Sequence, residues 1–370
     1  MFKGVAIVAR LHLIFCLTLC CLASANAGVI EGLYNAQIEV ADQSTATQNA
    51  AIRDGLQDVF VKVSGNSTLL NDPQIKQQLK QAKRYLRTYR FEQTPEHLYL
   101  AVNFDQEKVD KQLRDSGYRI WDKLRPETIL WLAIKEPNGR RELVSEGNHQ
   151  ELFVAAQNVA KRRGVEIVQP LLDLDDMQNI SIYDVWGGFV HQLAQASKRY
   201  GVENVLSARI YKLENNDAEG KDDQGSAQGV EVAWQADWTL LEAGSTSGGT
   251  VSGADQEQVV SALIEGMADN LANKYAIDFS RFDPAAMRTI VTINNLSSLR
   301  QYGEILTFFN SLSVVSSASL VSQNGQVAQF ELSLLGEVDN LVDAMSLDNR
   351  ISPVNRFELD KQKLEYFWKL

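Results

Sequence analysis

Apolar and polar positions along this chain alternate with a period of two in some stretches and recur every three to four residues in others, and these rhythms define its elements. Tyr34, Ala36, Ile38 and Val40 alternate with Asn35, Gln37 and Glu39, which predicts a half-buried strand. Ile52, Leu56, Val59, Phe60 and Val63 then recur at helical spacing, with Asp42 or Ser44 placed to cap the helix and Ser64-Gly65-Asn66 to end it. A second helix is expected from Asp72-Pro73 to about Tyr85, a strand through Leu98, Leu100, Val102 and Phe104, and a helix from Asp105 to Gly117. The order β-α-α-β-β-α makes residues 28–124 a small α+β unit.

A second unit, residues 125–280, opens with Ile129-Leu130-Trp131-Leu132-Ala133-Ile134, an unbroken apolar run expected of a strand covered on both faces. Helix Leu152 to Arg163, a short strand Val165 to Val168, a helix from Ile182 to Tyr200 and a strand Val205 to Tyr211 follow. The acidic, glycine-rich stretch Glu214 to Gly229 has no periodicity and reads as a mobile loop. Val230, Val232, Trp234, Ala236, Trp238 and Leu240 alternate, placing both tryptophans on one sheet face. Gly244 to Gly253 reads as a further flexible segment, and Val259, Val260, Leu263, Ile264, Met267 and Leu271 mark a helix.

The third unit, residues 281–370, starts near Asp283-Pro284. It reads as strand (Thr289 to Ile293), helix (Leu299 to Leu312), strand (Val314 to Val321), a turn at Asn324-Gly325, a strand through Phe330, Leu332 and Leu334, helix (Glu337 to Leu347) and a last strand near Leu364 to Trp368. That is the split β-α-β-β-α-β order of ferredoxin-like domains. The fold class expected is therefore α+β, with three small mixed sheet-and-helix domains in tandem.

Two further features bear on where the chain works. Met1 to Arg10 carries Lys3 and Arg10 and no acid, Leu11 to Leu22 is almost entirely apolar, and Ala25-Asn26-Ala27 offers the small residues a signal peptidase reads. Residues 1–27 are expected to be a signal peptide cleaved between Ala27 and Gly28. Cys16, Cys20 and Cys21 all lie in that segment, and neither Cys20 nor Cys21 has a lipobox before it, so periplasmic export without lipidation is the expectation. A cysteine-free body excludes a disulfide scaffold, a thiol enzyme and a thiolate metal site.

The charge balance narrows the partners. With 36 Lys and Arg against 47 Asp and Glu, and Lys3 and Arg10 lost with the signal, the chain is acidic and has no basic stripe. Nucleic-acid binding draws most of its affinity from phosphate neutralisation, so no nucleic-acid partner is expected. The cluster Lys80 to Arg90 reads as a solvated helix face. No transmembrane span is expected after processing.

Motifs for chemistry are mostly missing. The chain has no P-loop, no H-E-x-x-H helix, no G-x-S-x-G elbow and no S-x-x-K pair, and His97, His149 and His191 lie far apart without partners at metal spacing. The best cluster is Asp173, Asp175 and Asp176, with Asp184 eight residues on. Such carboxylates could hold a hard cation or raise one another's pKa. They could equally cap a helix, and Arg162-Arg163 is placed to pair with Asp173. Trp186 sits beside Gly187 and Gly188 and just before Phe189, an arrangement that suits tight packing or recognition by a partner.

The motifs VADQS (Val40 to Ser44), VKVSGN (Val61 to Asn66), RPETILWL (Arg125 to Leu132), RRGVEIVQPLLDLDD (Arg162 to Asp176), DVWGGF (Asp184 to Phe189) and ASKRY (Ala196 to Tyr200) together resemble an uncharacterised gammaproteobacterial envelope family, domain of unknown function 2066. By its order of elements the middle unit resembles the amino-terminal domain of the translocation protein TolB. These resemblances imply adaptor work in the periplasm. The expected function is an exported, non-catalytic adaptor or assembly protein that binds other cell-envelope proteins, with no cofactor. Its candidate partner-binding residues are Asp173, Asp175, Asp176, Asp184, Trp186 and Phe189. The alternative is a periplasmic hydrolase or metal-dependent enzyme built on the four carboxylates.

Overall fold

The computed structural model describes residues 28–202, 204–213, 234–242, 244–279, 288–348, 350–355 and 363–369. Three mixed sheet-and-helix units follow one another along the chain. The expected loop Glu214 to Gly229, the alternating Val230 and Val232, and the signal segment lie outside the described residues. Among the described residues no helix is long and apolar enough to cross a membrane.

The first unit contains β1 (Gly28–Val29), β2 (Asn35–Glu39), α1 (Thr45–Ser64), α2 (Pro73–Leu79), β3 (Leu86–Gln93), β4 (Leu98–Phe104) and α3 (Gln106–Asp115). Its antiparallel sheet has the order β2-β4-β3. Ser44 caps α1 by accepting a bond from the Thr47 N–H, and the apolar stripe Ile52, Leu56, Phe60 packs with Leu100, Val102 and Phe104. The basic stretch departs from expectation. The helix stops at Leu79, and Arg87 and Arg90 lie on a strand because Leu86 and Phe91 pack on this core while the chain pairs with β4. Tertiary pairing overrides the local helical pattern there.

The second unit runs from β5 (Leu124–Arg125), which pairs with β1, through β6 (Thr128–Lys135), β7 (Arg141–Leu143), α4 (Gln150–Arg163), β8 (Ile167–Val168), α5 (Leu174–Asn179), α6 (Ile182–Gly187), α7 (Val190–Ser197), β9 (Asn204–Lys212), β10 (Trp234–Glu242), β11 (Ser245–Gly253) and α8 (Gln256–Tyr275). The sheet order is β11-β10-β9-β6-β7, with β8 beside β6. β6 is buried on both faces: Leu130, Leu132 and Ile134 pack with α4 and α8, and Ile129, Trp131 and Ala133 with Val185, Val190 and Leu193 of α6 and α7.

Two expectations fail in this unit. The helix from Ile182 to Tyr200 is broken at Gly188, whose left-handed φ of 65° ends α6 and lets Phe189 start α7. Gly244 to Gly253 is not a loose segment, because all nine residues of β11 pair in register with β10 and the Trp238 ring lies against Gly249. Trp234 and Trp238 do share the face that packs under α8.

The third unit comprises β12 (Arg288–Asn294), α9 (Leu299–Ser311), β13 (Val315–Asn324), β14 (Val327–Leu334), α10 (Val338–Ser346), β15 (Ile351–Pro353) and β16 (Leu364–Trp368). Its sheet order is β13-β14-β12-β16-β15. The path follows the split β-α-β order, with one addition that the sequence reading missed. The short strand β15 precedes β16 and pairs with it antiparallel, so β16 lies parallel to β12 instead of antiparallel.

A buried arginine joins the first two units. Arg125 is 0% exposed, and its five N–H groups meet five backbone carbonyls: Nε donates to Asp122, Nη1 to Arg163 and Gly164, and Nη2 to Lys62 and Trp121, at 2.7–3.0 Å. Gly164 is forced here by its φ of 65° and because a Cβ would meet Lys62 and Arg125. Arg163 does not reach Asp173 as expected. It donates to the Gly65 carbonyl at 2.8 Å and to Asp269 at 2.6 Å, and it pairs with Glu265, as Arg162 does.

Candidate functional site

The segment from Pro170 to Phe189 leaves the sheet after β8, turns through α5 and α6 and re-enters at α7. Asp173 is the N-cap of α5 and accepts from the Asp176 N–H at 3.1 Å. Asp175 and Asp176 occupy the first turn, where acids oppose the positive end of the helix dipole. Arg199, on the short turn that follows α7, grips this cap. Its Nη1 and Nη2 donate to the two oxygens of Asp173 at 2.6 and 2.7 Å, and Nη1 also reaches Asp176 at 3.1 Å.

Asp176 is 1% exposed and fully engaged. One oxygen takes Arg199, and the other accepts from the Leu172 N–H at 2.9 Å and from the Tyr200 hydroxyl. The Leu171 N–H donates to the same hydroxyl at 2.9 Å. These bonds hold Leu172 at a φ of 49°, a left-handed conformation that costs a residue with a side chain about 1–2 kcal/mol.

The electrostatics fix the charge state of the cluster. Arg199, and after it the N–H of Asp176, hold the Asp173 carboxyl down at about 2. Asp173 in turn holds the Arg199 guanidinium protonated, and burial with the Asp176 bond pushes the Tyr200 hydroxyl up to about 12. None of these three groups exchanges a proton near neutral pH.

The four candidate carboxylates do not converge. Asp173 and Asp176 share Arg199, whereas Asp184 belongs to α6, where it closes a capping box by accepting from the Ser181 N–H at 2.8 Å and from the Ser181 hydroxyl at 2.5 Å. Asp175 points its carbonyl to Asn179 Nδ2 at 2.7 Å, and its side chain is exposed. Among the described residues no group of three or more His, Cys, Asp or Glu is placed to hold a metal ion. His97 and His149 sit beside glutamates, and His191 is exposed on α7.

Trp186 is half-buried. The Arg141 guanidinium lies 4.4 Å from its ring centre, the Tyr211 ring 6.4 Å away, and Arg209 Nη1 donates to its carbonyl at 3.2 Å. Phe189 is 52% exposed. It is not alone: Leu171, Leu174, Met177 and Tyr183 are each 67–71% exposed, so five large apolar side chains stand in water within 19 residues. The sequence reading found Phe189 but neither these four nor Arg199 and Tyr200. The signal for the last two was the motif ASKRY, whose Arg-Tyr pair has no partner on its own turn.

Residues 27–122 match the profile of a domain of unknown function (DUF8605). That match spans the first unit, and its number differs from that of the domain the motifs suggested. No curated protein matches the chain. Among solved structures, the chain is similar to a competence-damaged protein (CinA) superfamily protein from Enterobacter cloacae, with 16% identity, a TM-score of 0.22, and 45% of this chain and 88% of that one covered. It is also similar to the competence damage-inducible protein A (ComA) from Klebsiella pneumoniae, with 15% identity, a TM-score of 0.22, and 45% and 92% covered.

Proposed function

We propose that the protein is an exported, non-catalytic adaptor of the cell envelope, whose Pro170 to Phe189 segment docks onto a partner envelope protein in the periplasm. The observation that carries this reading is the exposure of Leu171, Leu174, Met177, Tyr183 and Phe189 on a segment anchored by Asp173, Asp176, Arg199 and Tyr200. Exposed apolar side chains that cluster rather than scatter mark interaction sites, and a segment already ordered loses less entropy on binding. The export pattern of residues 1–27 and the resemblance to an envelope family support the location. The carboxylates favour the adaptor over the enzyme, since Arg199 and Ser181 already occupy three of the four.

The test is the double variant Leu174→Asp, Met177→Asp, studied by in-cell photo-crosslinking from a probe placed at Tyr183. The expected result is a crosslinked partner that disappears in the variant while the melting temperature holds. A crosslink pattern identical in the two proteins overturns the reading.

A further inference from the structure

A cleft of about 1440 Å³ separates the first unit from the second. One wall is the free edge of β2 with Asn35 and Gln37, continued over the outer face of the sheet by Arg90 of β3 and Tyr99 of β4; the other is built by Lys161 of α4 and by Ile167 at β8. Pockets for small molecules measure roughly 300–1,000 Å³, so this cleft suits a longer occupant.

The backbone of β2 says what kind. Antiparallel pairing alternates inward and outward groups, and the Tyr34 carbonyl and Val40 N–H both point inward, to Phe104 and Leu98. The residues of the other parity, Asn35, Gln37 and Glu39, therefore present their N–H and C=O outward. Those of Asn35 are taken: its N–H donates to the Gly32 carbonyl at 2.8 Å and its carbonyl accepts from Lys62 Nζ at 2.9 Å. Gln37 keeps both an outward donor and an outward acceptor, which have no partner among the described residues. One residue of an incoming strand satisfies that pair. β2 itself has no proline, lysine or bulge to blunt its edge, and the lysines that reach it, Lys62 at Asn35 and Lys161 at the Gln37 side chain, leave the Gln37 backbone open.

We propose that this cleft is a peptide groove, in which an extended segment of another protein pairs with the open edge of β2 at Gln37. Backbone bonds supply affinity in such strand addition and the walls supply selectivity. Here the walls set amides and opposite charges beside the rings of Tyr89 and Tyr99 and the apolar side chains of Ile167 and Val168, which suits a strand that carries both polar and apolar side chains. The Lys161 ammonium reaches Gln37 Oε1 at 3.4 Å, a contact between exposed side chains that a bound strand displaces at little cost. The groove shares no residue with the Pro170 to Phe189 segment, so it stands or falls separately from that reading.

The experiment selects linear decapeptides by display on the full chain and measures the selected peptide by fluorescence anisotropy. Two changes then remove the proposed bonds from either side. Gln37→Pro deletes an N–H that faces outward, a substitution that edge strands accept, and methylation of alternate peptide nitrogens deletes the donors of the incoming strand. At least a tenfold weaker binding is expected from each, with an unchanged melting temperature for the variant. Should Gln37→Pro fail to fold, the methylated peptides decide alone. An empty selection, or a selected peptide that binds equally well after methylation of either set of nitrogens, overturns the groove.

Discussion

The guanidinium of Arg125 lies 3.9 Å from the centre of the Trp121 ring while its five N–H groups point at five carbonyls, so one side chain is both stacked and saturated. Among the described residues no carboxylate accepts from it. Burial is the main reason its pKa falls to about 9, and the carbonyl dipoles and the ring replace the lost water.

Arg125→Met is expected to destabilise the protein by about 3–5 kcal/mol, since it removes the donors for carbonyls of α1, of α4 and of the strand entry together. Arg125→Lys should recover only part of this, because an ammonium has three donors and no plane to lie on Trp121. Urea denaturation followed by tryptophan fluorescence reads both. A loss under 1 kcal/mol for Arg125→Met would show that the joint does not depend on it.

Much of this fold could be read from periodicity because the local pattern and the final environment agree. The run Ile129 to Ile134 is apolar on both faces and is buried on both, and the stripe through Leu56 and Phe60 lies on the core. The readings that failed are those where a distant partner decides. Glycine, serine and threonine along Ser245–Gly253 look loose by composition, yet pairing with β10 orders them. Asp173 had two arginines nearby in sequence, but the one it meets is 26 residues on, placed by the return of α7 to the sheet. No periodicity encodes that distance. Exposed Leu174 and Met177 escape for a related reason, since an apolar residue in sequence carries no mark of the face it will occupy.

Asp176→Ala is expected to cost about 1–3 kcal/mol, because the Leu172 N–H and the Tyr200 hydroxyl lose a buried acceptor at once. The strained φ of Leu172 should relax with it, so hydrogen exchange ought to accelerate at Leu171 and Leu172 before the rest of the chain. Exchange that rises uniformly would mean that the cap has no local role.

Trp186→Ala should lower stability by about 1–2 kcal/mol, since the ring packs beneath Arg141 and beside Tyr211 instead of standing free for a partner. A double-mutant cycle with Arg141→Ala isolates the stacking, with a coupling of about 0.5–1 kcal/mol expected. An unchanged melting temperature in Trp186→Ala would return the tryptophan to the docking surface.

The last prediction follows from Lys62, a residue 8% exposed whose ammonium donates to the Asn35 carbonyl at 2.9 Å. Burial is the largest influence on it and lowers its pKa from 10.5 to about 8, with nearby Asp58 opposing the fall. Below pH 8 the group is protonated in both folded and unfolded chains, and its burial penalty is constant. Between about pH 8 and 10 the folded protein releases this proton while the unfolded chain keeps it, so the unfolded state binds more protons and stability rises with pH. The gain from this residue is on the order of 3 kcal/mol when complete. The contribution of Lys62 is obtained by difference against Lys62→Met, which keeps the stem and removes the charge. Stability measured by urea titration from pH 7 to 10 should climb more steeply in the native protein than in Lys62→Met. Parallel curves would show that the Lys62 amine titrates as an ordinary surface lysine.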